Sequence, residues 1–154
     1  MTRRQVVSDA SPLIALERIG RLDLLPIIFK QLIIPPAVRR EIGPVLARTP
    51  GLAAQAISLP VDARILAANL GPGETEAIHL AIELNAVRVI LDDGDARSLA
   101  RSLGVPLIGT LGVLLSAKYQ AIIPALKPLV EALIATGFRV DQRIYRSILD
   151  EAGE

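Results

Sequence analysis

The chain has 154 residues, a length that suits one ordinary domain with a single hydrophobic core. Hydrophobic residues make up 51% of it and aromatic residues only 3%, so the core must consist almost wholly of Leu, Ile, Val and Ala, and intrinsic disorder is excluded. Seventeen Lys and Arg against sixteen Asp and Glu give a net charge of +1, which provides no overall attraction for nucleic acid or an anionic membrane.

The sequence contains no cysteine and one histidine, His79. Disulfides and thiolate-held zinc are therefore excluded, and a histidine-based triad is possible only in a degenerate form. The longest uncharged stretch, residues 102–117, is broken by Gly and Pro and is shorter than the roughly 20 apolar residues that a membrane span needs. We expect a cytoplasmic protein, without a membrane partner, whose polar chemistry depends on carboxylates.

The first half of the chain alternates extended and helical patterns. In chain order, the sequence predicts a strand over 5–8, a helical stretch over 12–25 divided at Gly20, an extended run over 31–36, a helix over 37–48 bent or ended at Gly43-Pro44, an extended run over 56–60, and a helix ending at Leu70. The helix over 37–48 has a proline at its first turn, where a missing N–H costs nothing.

The second half continues the alternation after the breaker GPG. Residues 74–84 predict an amphipathic helix with Glu76, His79 and Glu83 on its polar side. The elements that follow are a strand over 87–91, a helix over 96–103, a strand over 105–108, a helix ending at Tyr119, and two helices from about residue 122 around Gly137. Short strands alternating with helices predict an α/β fold with a mainly parallel sheet, as one domain over residues 1–154 with the C-terminal helices packed on it.

Acidic residues follow two of the predicted strands. Asp9 comes directly after the first, and Asp92, Asp93 and Asp95 come after the run VRVIL. The functional crevice of a parallel sheet lies beyond the carboxyl ends of its strands, so these acids converge if the two strands are neighbours. Clustered carboxylates repel one another unless they share a cation, and Mg²⁺ leaves room for a substrate phosphate. The pattern therefore predicts a site for Mg²⁺ or Mn²⁺ with nuclease chemistry.

Each acid also has a structural interpretation. Asp9 could cap the helix that follows it, and the acidic turn DDGD could be a solvated turn that caps the next helix. Glu41, in the run RREIG, could pair with a neighbouring arginine, and Glu74 lies in a first helical turn, where the helix dipole favours an acid. Glu76 and His79 are expected to be ordinary exposed helix residues.

Taken in order, these motifs resemble those of PIN-domain proteins. The segment VVSDASPLIALERIG is similar to the first motif of that family, PAVRREI to the second, and GPGETEAIHLAIELNAVRVILDDGDAR to the third and fourth. The stretch GVPLIGTLGVLLSAKYQAI looks like the small prokaryotic subgroup related to the ribonuclease toxins of VapBC-type toxin-antitoxin pairs. The resemblance covers roughly residues 5 to 125.

The resemblance implies a three-layer α/β/α sandwich and a Mg²⁺- or Mn²⁺-dependent endoribonuclease that cleaves single strands. By position it makes six acids candidate catalytic residues: Asp9, Glu41, Glu74, Asp92, Asp93 and Asp95. The doubled Asp leaves the acid after the strand open by one residue, so Asp92 and Asp93 are equal rivals. The expected metal ligands are Asp9, Glu74, Asp93 and Asp95. Toxin-like members often have a Thr where this chain has Leu91, and Ser11 or Thr110 could supply that hydroxyl.

The expected partners are RNA, a cognate antitoxin protein and a second copy of the chain. An acidic metal site repels a polyanion unless basic residues flank it. The candidate substrate-binding residues are Ser11, Arg39, Arg40, Arg97, Arg101 and Thr110. Ion pairing with the acids is the alternative role of the arginines. The homodimer is expected because residues 22–29 are mostly apolar, more than one face can bury.

Two other functions compete with the nuclease. The first is a catalytically inactive PIN-fold protein that binds RNA or acts as a scaffold. The second is a phosphatase or receiver-like domain, which also binds Mg²⁺ through aspartates at strand ends. The second would require a lysine late in the chain, for which Lys118 is the candidate, and a DxD-type pattern that is missing around Asp9.

Overall fold

Five short parallel strands form the centre of the computed structural model, which describes residues 4–154. They are β1 (Val6–Ser8), β2 (Leu32–Ile34), β3 (Leu52–Ala54), β4 (Arg88–Ile90) and β5 (Leu107–Ile108). Their order in the sheet is β3-β2-β1-β4-β5, and each neighbouring pair is parallel. The predicted parallel α/β architecture is confirmed.

Nine helices in the described part of the chain cover both faces of this sheet. They are α1 (Ala10–Arg18), α2 (Leu24–Phe29), α3 (Pro36–Leu46), α4 (Ala63–Ala67), α5 (Pro72–Glu83), α6 (Gly94–Ser102), α7 (Thr110–Tyr119), α8 (Lys127–Ala135) and α9 (Gln142–Glu151). Because successive strand residues point to opposite faces, Val6 packs in a core with α1, α2, α7, α8 and α9, whereas Val7 packs with α4, α5 and α6. The result is a three-layer α/β/α sandwich.

Two glycines divide helical segments as the sequence predicts. Gly20 has a φ of +70° and separates α1 from α2, so the helical stretch over residues 12–25 is two helices. Gly43 has a φ of +83° and bends α3 just before Pro44. Both positions use the left-handed backbone region that glycine enters without steric cost. α2 runs on to Phe29, four residues beyond the predicted end.

The strand expected over residues 56–60 is wrong, because β3 lies earlier, at Leu52–Ala54. The backbone of residues 56–60 finds side-chain partners on α5 instead of a neighbouring strand. The N–H groups of Ser58 and Leu59 donate to the Glu83 carboxylate at 3.0 and 2.6 Å, and His79 Nε2 lies 3.1 Å from the Leu59 carbonyl oxygen. This loop therefore covers the polar side of α5.

The expectation that His79 is exposed is wrong for the same reason. The loop leaves His79 only 5% exposed, and its ring lies 3.5 Å from Glu83 Oε1. Its Nδ1 atom is buried without a hydrogen-bond partner. A single helical pattern could not reveal that a distant loop covers the polar face.

The C-terminal helices α8 and α9 pack on the side of the sheet that carries α1 and α7. The Glu154 carboxylate joins them by accepting hydrogen bonds from the Leu126 N–H at 2.6 Å and the Lys127 N–H at 3.1 Å. These donors lie at the start of α8, where N–H groups have no partner within the helix. In residues 4–154 no helix has the length and apolar character required to span a membrane.

Candidate functional site

The site begins where the direction of the chain connections reverses within the sheet. From β1 the chain goes outward to β2 and β3, and it then returns to build β4 and β5 on the other side of β1. β1 and β4 are neighbours, with Ser8 paired to Ile90, and the Asp9 N–H donates to the Ile90 carbonyl at 3.1 Å. Open parallel sheets form their crevices at such a point, beyond the carboxyl ends of the strands.

Asp9 is the most buried acid at this edge, with 2% of its surface exposed. Its carboxylate makes no capping hydrogen bond to α1, so Asp9 does not have the helix-capping role that was the structural alternative for it. The pKa of Asp9 is raised to about 7, chiefly by burial and also by the charges of Glu74, Glu41 and Asp92, while the Ala10 N–H acts in the opposite direction. Four acids therefore share one electrostatic neighbourhood.

Gly73 is the place where Asp9 and Glu41 meet. It is a buried residue in the first turn of α5. A Cβ atom there would clash with Glu41 Oε1 and would lie 3.0 Å from Asp9 Oδ1. The two carboxylate oxygens therefore border the same small space, which stays open because residue 73 has no side chain. In the sequence this glycine is only part of a helix breaker.

Glu74 reaches the site from the first turn of α5 and is half-buried. A Cβ at Gly71 would lie 2.6 Å from Glu74 Oε2, so the carboxylate folds back over the turn that precedes the helix. Of the three acids whose charge raises the pKa of Asp9, Glu74 has the largest effect. The first-turn position, favourable for any acid, is compatible with both a structural and a functional role.

Asp92 is held in place by Thr110, the first residue of α7. The Thr110 N–H donates to Asp92 Oδ1 at 2.8 Å, and the Thr110 hydroxyl donates to Oδ2 at 2.5 Å. Burial raises the pKa of Asp92, whereas the two Thr110 bonds and the charge of Arg97 act in the opposite direction. Thr110 is completely buried, so it positions Asp92 and is not an open substrate contact. Ser11 lies exposed in the first turn of α1.

Arg97 lies behind Asp92, where the sequence left two roles open. Its Nη1 donates to the Leu91 carbonyl at 2.8 Å. A Cβ at Gly109 would lie 2.7 Å from Arg97 Nη1 and 3.1 Å from Asp92 Oδ1, so a glycine is needed for this packing. Arg97 therefore lies beside Asp92, where its charge lowers the pKa of that acid, while Arg101 stays exposed on α6.

Asp93 and Asp95, two expected metal ligands, are exposed at the start of α6. Asp93 Oδ2 accepts a hydrogen bond from the Ala96 N–H at 3.0 Å and so caps α6. Asp92 is the acid of this turn whose charge reaches Asp9. The two adjacent aspartates therefore have different roles. The charge of Asp92 acts on Asp9, and Asp93 caps α6.

Three arginines lie along α3 and its end, close in sequence to Glu41. Arg39, Arg40 and Arg48 line a cavity of about 470 Å³ next to the bend of the helix. Arg39 and Arg40 are sequence candidates for RNA binding, whereas Arg48 was missed because it follows the predicted break at Gly43-Pro44. The cavity gives this end of α3 a basic surface.

Glu76 has a structural role that helical periodicity does not reveal. Its Oε1 accepts a hydrogen bond from the Ala37 N–H at 3.0 Å and thereby satisfies the start of α3. Its Oε2 lies 3.8 Å from Arg40 Nη2, a weak pair because that arginine is largely exposed. Glu76 therefore joins α5 to α3, the two helices that carry Gly73 and Glu41.

The donor set fits a hard divalent cation. Within residues 4–154 no three acidic or histidine side chains stand close enough to hold an ion between them. Mg²⁺ usually takes one or two protein carboxylates and completes its shell with water and substrate phosphate. Asp9 and Glu41, whose oxygens border the space over Gly73, supply such a pair, with Glu74 and Asp92 adding negative charge.

The receiver-like alternative is not supported by the position of Lys118. Its Nζ donates to the Pro124 carbonyl at 3.1 Å and to Glu154 Oε2 at 3.2 Å. It lies near the end of α7, and that helix begins at the site with Thr110. The lysine thus holds the C-terminal region and does not accompany the acids.

The comparison with protein families agrees with this geometry. A family model described as a PIN domain matches residues 5–154, nearly the whole chain. A comparison with curated proteins found no match. PIN domains are generally nucleases and usually use divalent metals. With a parallel α/β/α sandwich and acids gathered at the carboxyl ends of β1 and β4, the chain belongs to the PIN-domain family.

Proposed function

We propose that the protein is a Mg²⁺- or Mn²⁺-dependent endoribonuclease that cleaves single-stranded RNA. The observation that carries the proposal is Asp9, a buried carboxylate whose pKa is raised by the charges of three further acids. Such an arrangement is unfavourable for a protein that only has to fold, and perturbed carboxylates of this kind are typical of functional sites. A bound cation would offset the repulsion.

In this mechanism Asp9 and Glu41 would hold the cation, and Glu74 and Asp92 would add negative charge around it. The cation would supply Lewis acidity to the scissile phosphate and to the attacking water. The two hydrogen bonds from Thr110 hold the Asp92 carboxylate in place, and the charge of Arg97 acts on it from nearby. The Asp9 carboxyl must lose its proton before it can bind a cation, which sets the pH at which the site is ready.

Arginines beside α3 would bind the phosphates of the RNA on the approach to these acids. Arg39, Arg40 and Arg48 line one cavity, and Glu41 follows Arg40 directly in the same helix. Guanidinium groups bind phosphate through two parallel hydrogen bonds, which positions a strand without reading its sequence. The substrate would thus be anchored on one side of the acids.

Cleavage of a labelled single-stranded RNA, with and without Mn²⁺, tests the proposal. We expect Mn²⁺-dependent cleavage that falls by at least about a hundredfold in Asp9→Asn, since the variant loses the central ligand. Asp150→Asn, the same chemical change at an exposed position of α9, is the matched control and should cleave as wild type. RNA binding without any metal-dependent cleavage would instead support the inactive RNA-binding protein.

We also propose that the chain is the toxin of a toxin-antitoxin pair, with a cognate antitoxin protein as its partner. The support is the similarity of the stretch GVPLIGTLGVLLSAKYQAI to that subgroup. Induced expression in a bacterial host should arrest growth, and Asp9→Asn should relieve the arrest. Arrest by the Asp9→Asn protein at equal expression would separate toxicity from RNA cleavage and contradict this role.

A homodimer is the third part of the proposal, and the structure alters its basis. In the apolar segment over residues 22–29, Leu24 and Leu25 are buried within the chain, and Ile27 is the apolar residue that is more than half exposed, at 55%. Other exposed apolar side chains, Ile134 and Ile144, lie on α8 and α9. A monomer in sedimentation at tens of micromolar protein would contradict the dimer.

A further inference from the structure

A second cavity, with a mixed polar and apolar wall, lies at the amino ends of the strands, at the sheet edge opposite the acids. It measures about 680 Å³, within the range of small-molecule sites. Gln5 and Val6 border it at the start of β1, and Arg88 borders it at the start of β4. β1 and β4 run between this cavity and the acidic site, so the two openings face different ends of the sheet.

The charged residues that line this cavity are all basic. They are Arg4, Lys30 and Arg88, and all three are exposed. The lining contains no Asp or Glu. Among the ion pairs of residues 4–154, none involves these three residues. Three like charges at one opening repel one another unless an anion lies between them.

The three cations come from separate segments of the chain. Arg4 precedes β1, Lys30 directly follows α2, and Arg88 begins β4. Arg88 is paired in register with Val6, so the charged residue is carried by the sheet itself and not by a mobile loop. The parallel fold thus assembles a basic cluster that is not visible as a run of charge in the sequence.

The rest of the wall combines apolar surface with side-chain amides. Phe29, Ile28 and Val87 supply the apolar part, and Gln31 and Gln120 supply groups that can both donate and accept hydrogen bonds. Gln120 Nε2 donates to Ser116 Oγ at 2.9 Å, which fixes one of these amides at the cavity. A ligand that fits would carry an anion at one end and a flat, partly polar body at the other.

We propose that this cavity binds a nucleotide, with its phosphate between Arg4, Lys30 and Arg88 and its base against Phe29. Paired guanidinium groups match a phosphate, and the aromatic ring offers a stacking surface for a base. The amides at the wall can meet the polar edge of that base. The site is separate from the proposed cleavage site and does not require the protein to be a nuclease.

Isothermal titration of the full chain with adenosine 5′-monophosphate in EDTA tests this site, because chelation removes any metal that could hold the nucleotide at the acids. We expect one molecule bound per chain and affinity at least about tenfold weaker in Arg88→Gln and in Lys30→Gln. Arg146→Gln, the same loss of charge at an exposed position of α9, should bind as wild type. Equal melting temperatures of the variants would confirm that each is folded.

Adenosine and inorganic phosphate are the two partial probes, and each should bind at least about tenfold more weakly than the nucleotide. Phosphate that binds as tightly as the nucleotide would overturn the assignment of a base site at Phe29. No heat of binding at millimolar nucleotide, or equal binding by the Arg88→Gln and Lys30→Gln proteins, would overturn the cavity as the site. Binding lost in Arg39→Gln but kept in Arg88→Gln would place the nucleotide on α3 and also contradict the proposal.

Discussion

Two carboxylates of this fold, Asp9 and Glu83, have opposite surroundings. The Glu83 side chain is 8% exposed, accepts hydrogen bonds from the Ser58 and Leu59 N–H groups, and lies beside His79. Both bonds lower the pKa of Glu83, and the Ser58 bond has the larger effect. Asp9 has other acids as its neighbours, and its pKa is raised to about 7.

The difference shows how a structural acid can be told from a functional one in a single fold. The charge of Glu83 is satisfied within the chain, and its consequence is that a loop is fixed to α5. The charge of Asp9 is left without a compensating cation among the described residues, which costs folding free energy at neutral pH. A group maintained at such a cost points to a ligand that compensates it, which is the basis of the proposed metal site.

After Asp9→Asn, the largest effect on cleavage is expected at Asp92, whose charge acts on Asp9, whereas its neighbour Asp93 caps α6. Asp92→Asn should lower RNA cleavage by about a hundredfold, because it removes charge directed at Asp9. Asp93→Asn should stay within about twofold of wild type, because asparagine also caps helices well. Initial cleavage rates at saturating Mn²⁺ measure both. The reverse order of effects would return the site role to Asp93.

The second prediction concerns the stability cost of Asp9 without metal. Its pKa in the folded protein is about 7 and its ordinary value is 3.8, so the folded state holds the proton more tightly. The resulting stability is complete below about pH 4 and is lost as the pH rises through 7. At pH 8 in EDTA, Asp9→Asn should therefore be more stable than wild type by up to about 4 kcal/mol.

Urea unfolding at pH 4 and pH 8 checks this prediction. The two proteins should have nearly equal stability at pH 4, where the Asp9 carboxyl is protonated and resembles an amide. A stability difference that does not change with pH would show that Asp9 is compensated in the folded state, and the contrast with Glu83 would disappear.

Glu83→Gln is the corresponding change at the structural acid. It should lower the stability of the protein, whereas Asp9→Asn should raise it. A neutral amide oxygen accepts more weakly than a carboxylate, so the loop at Ser58 and Leu59 loses part of its attachment and the Tm falls by several degrees at pH 7. Because the pKa of Glu83 is lowered by folding, this contribution is lost as the pH falls below its ordinary value of 4.5. Thermal melts at pH 7 and pH 3 should therefore differ in the gap between variant and wild type. Cleavage activity should be unchanged.

The sequence predicted the fold correctly where an element depends only on its own residues and their close neighbours in the chain. β1 with Asp9 after it, the divided helices at Gly20, and the bend at Gly43 all follow from β-branched runs and punctuating glycines. It failed for residues 56–60 and His79, where a loop and a helix distant in the chain satisfy each other. Such pairing between side chain and backbone leaves no periodic signal in either segment.

For the site, the sequence identified the residue types but not which of them point inward. Asp92 and Asp93 are indistinguishable in the sequence, and their roles differ because Thr110, eighteen positions later, supplies a buried N–H and hydroxyl. Gly73 was recognised only as a breaker, since the close approach of Asp9 and Glu41 to it depends on three separate segments.

The smallest expected effect is at Thr110. Its hydrogen bonds compensate part of the charge of Asp92, as the Ser58 and Leu59 bonds do for Glu83. Thr110→Val keeps the backbone N–H bond to Asp92 but removes the hydroxyl, and we expect cleavage to fall by about tenfold. Since the Thr110 hydroxyl bond lowers the pKa of Asp92, its loss should also move the acidic limb of the pH–rate profile to higher pH. Thr110→Ser restores the hydroxyl and should recover both the rate and the profile. If the serine variant behaves like the valine variant, the methyl packing of Thr110 matters and its bond to Asp92 does not.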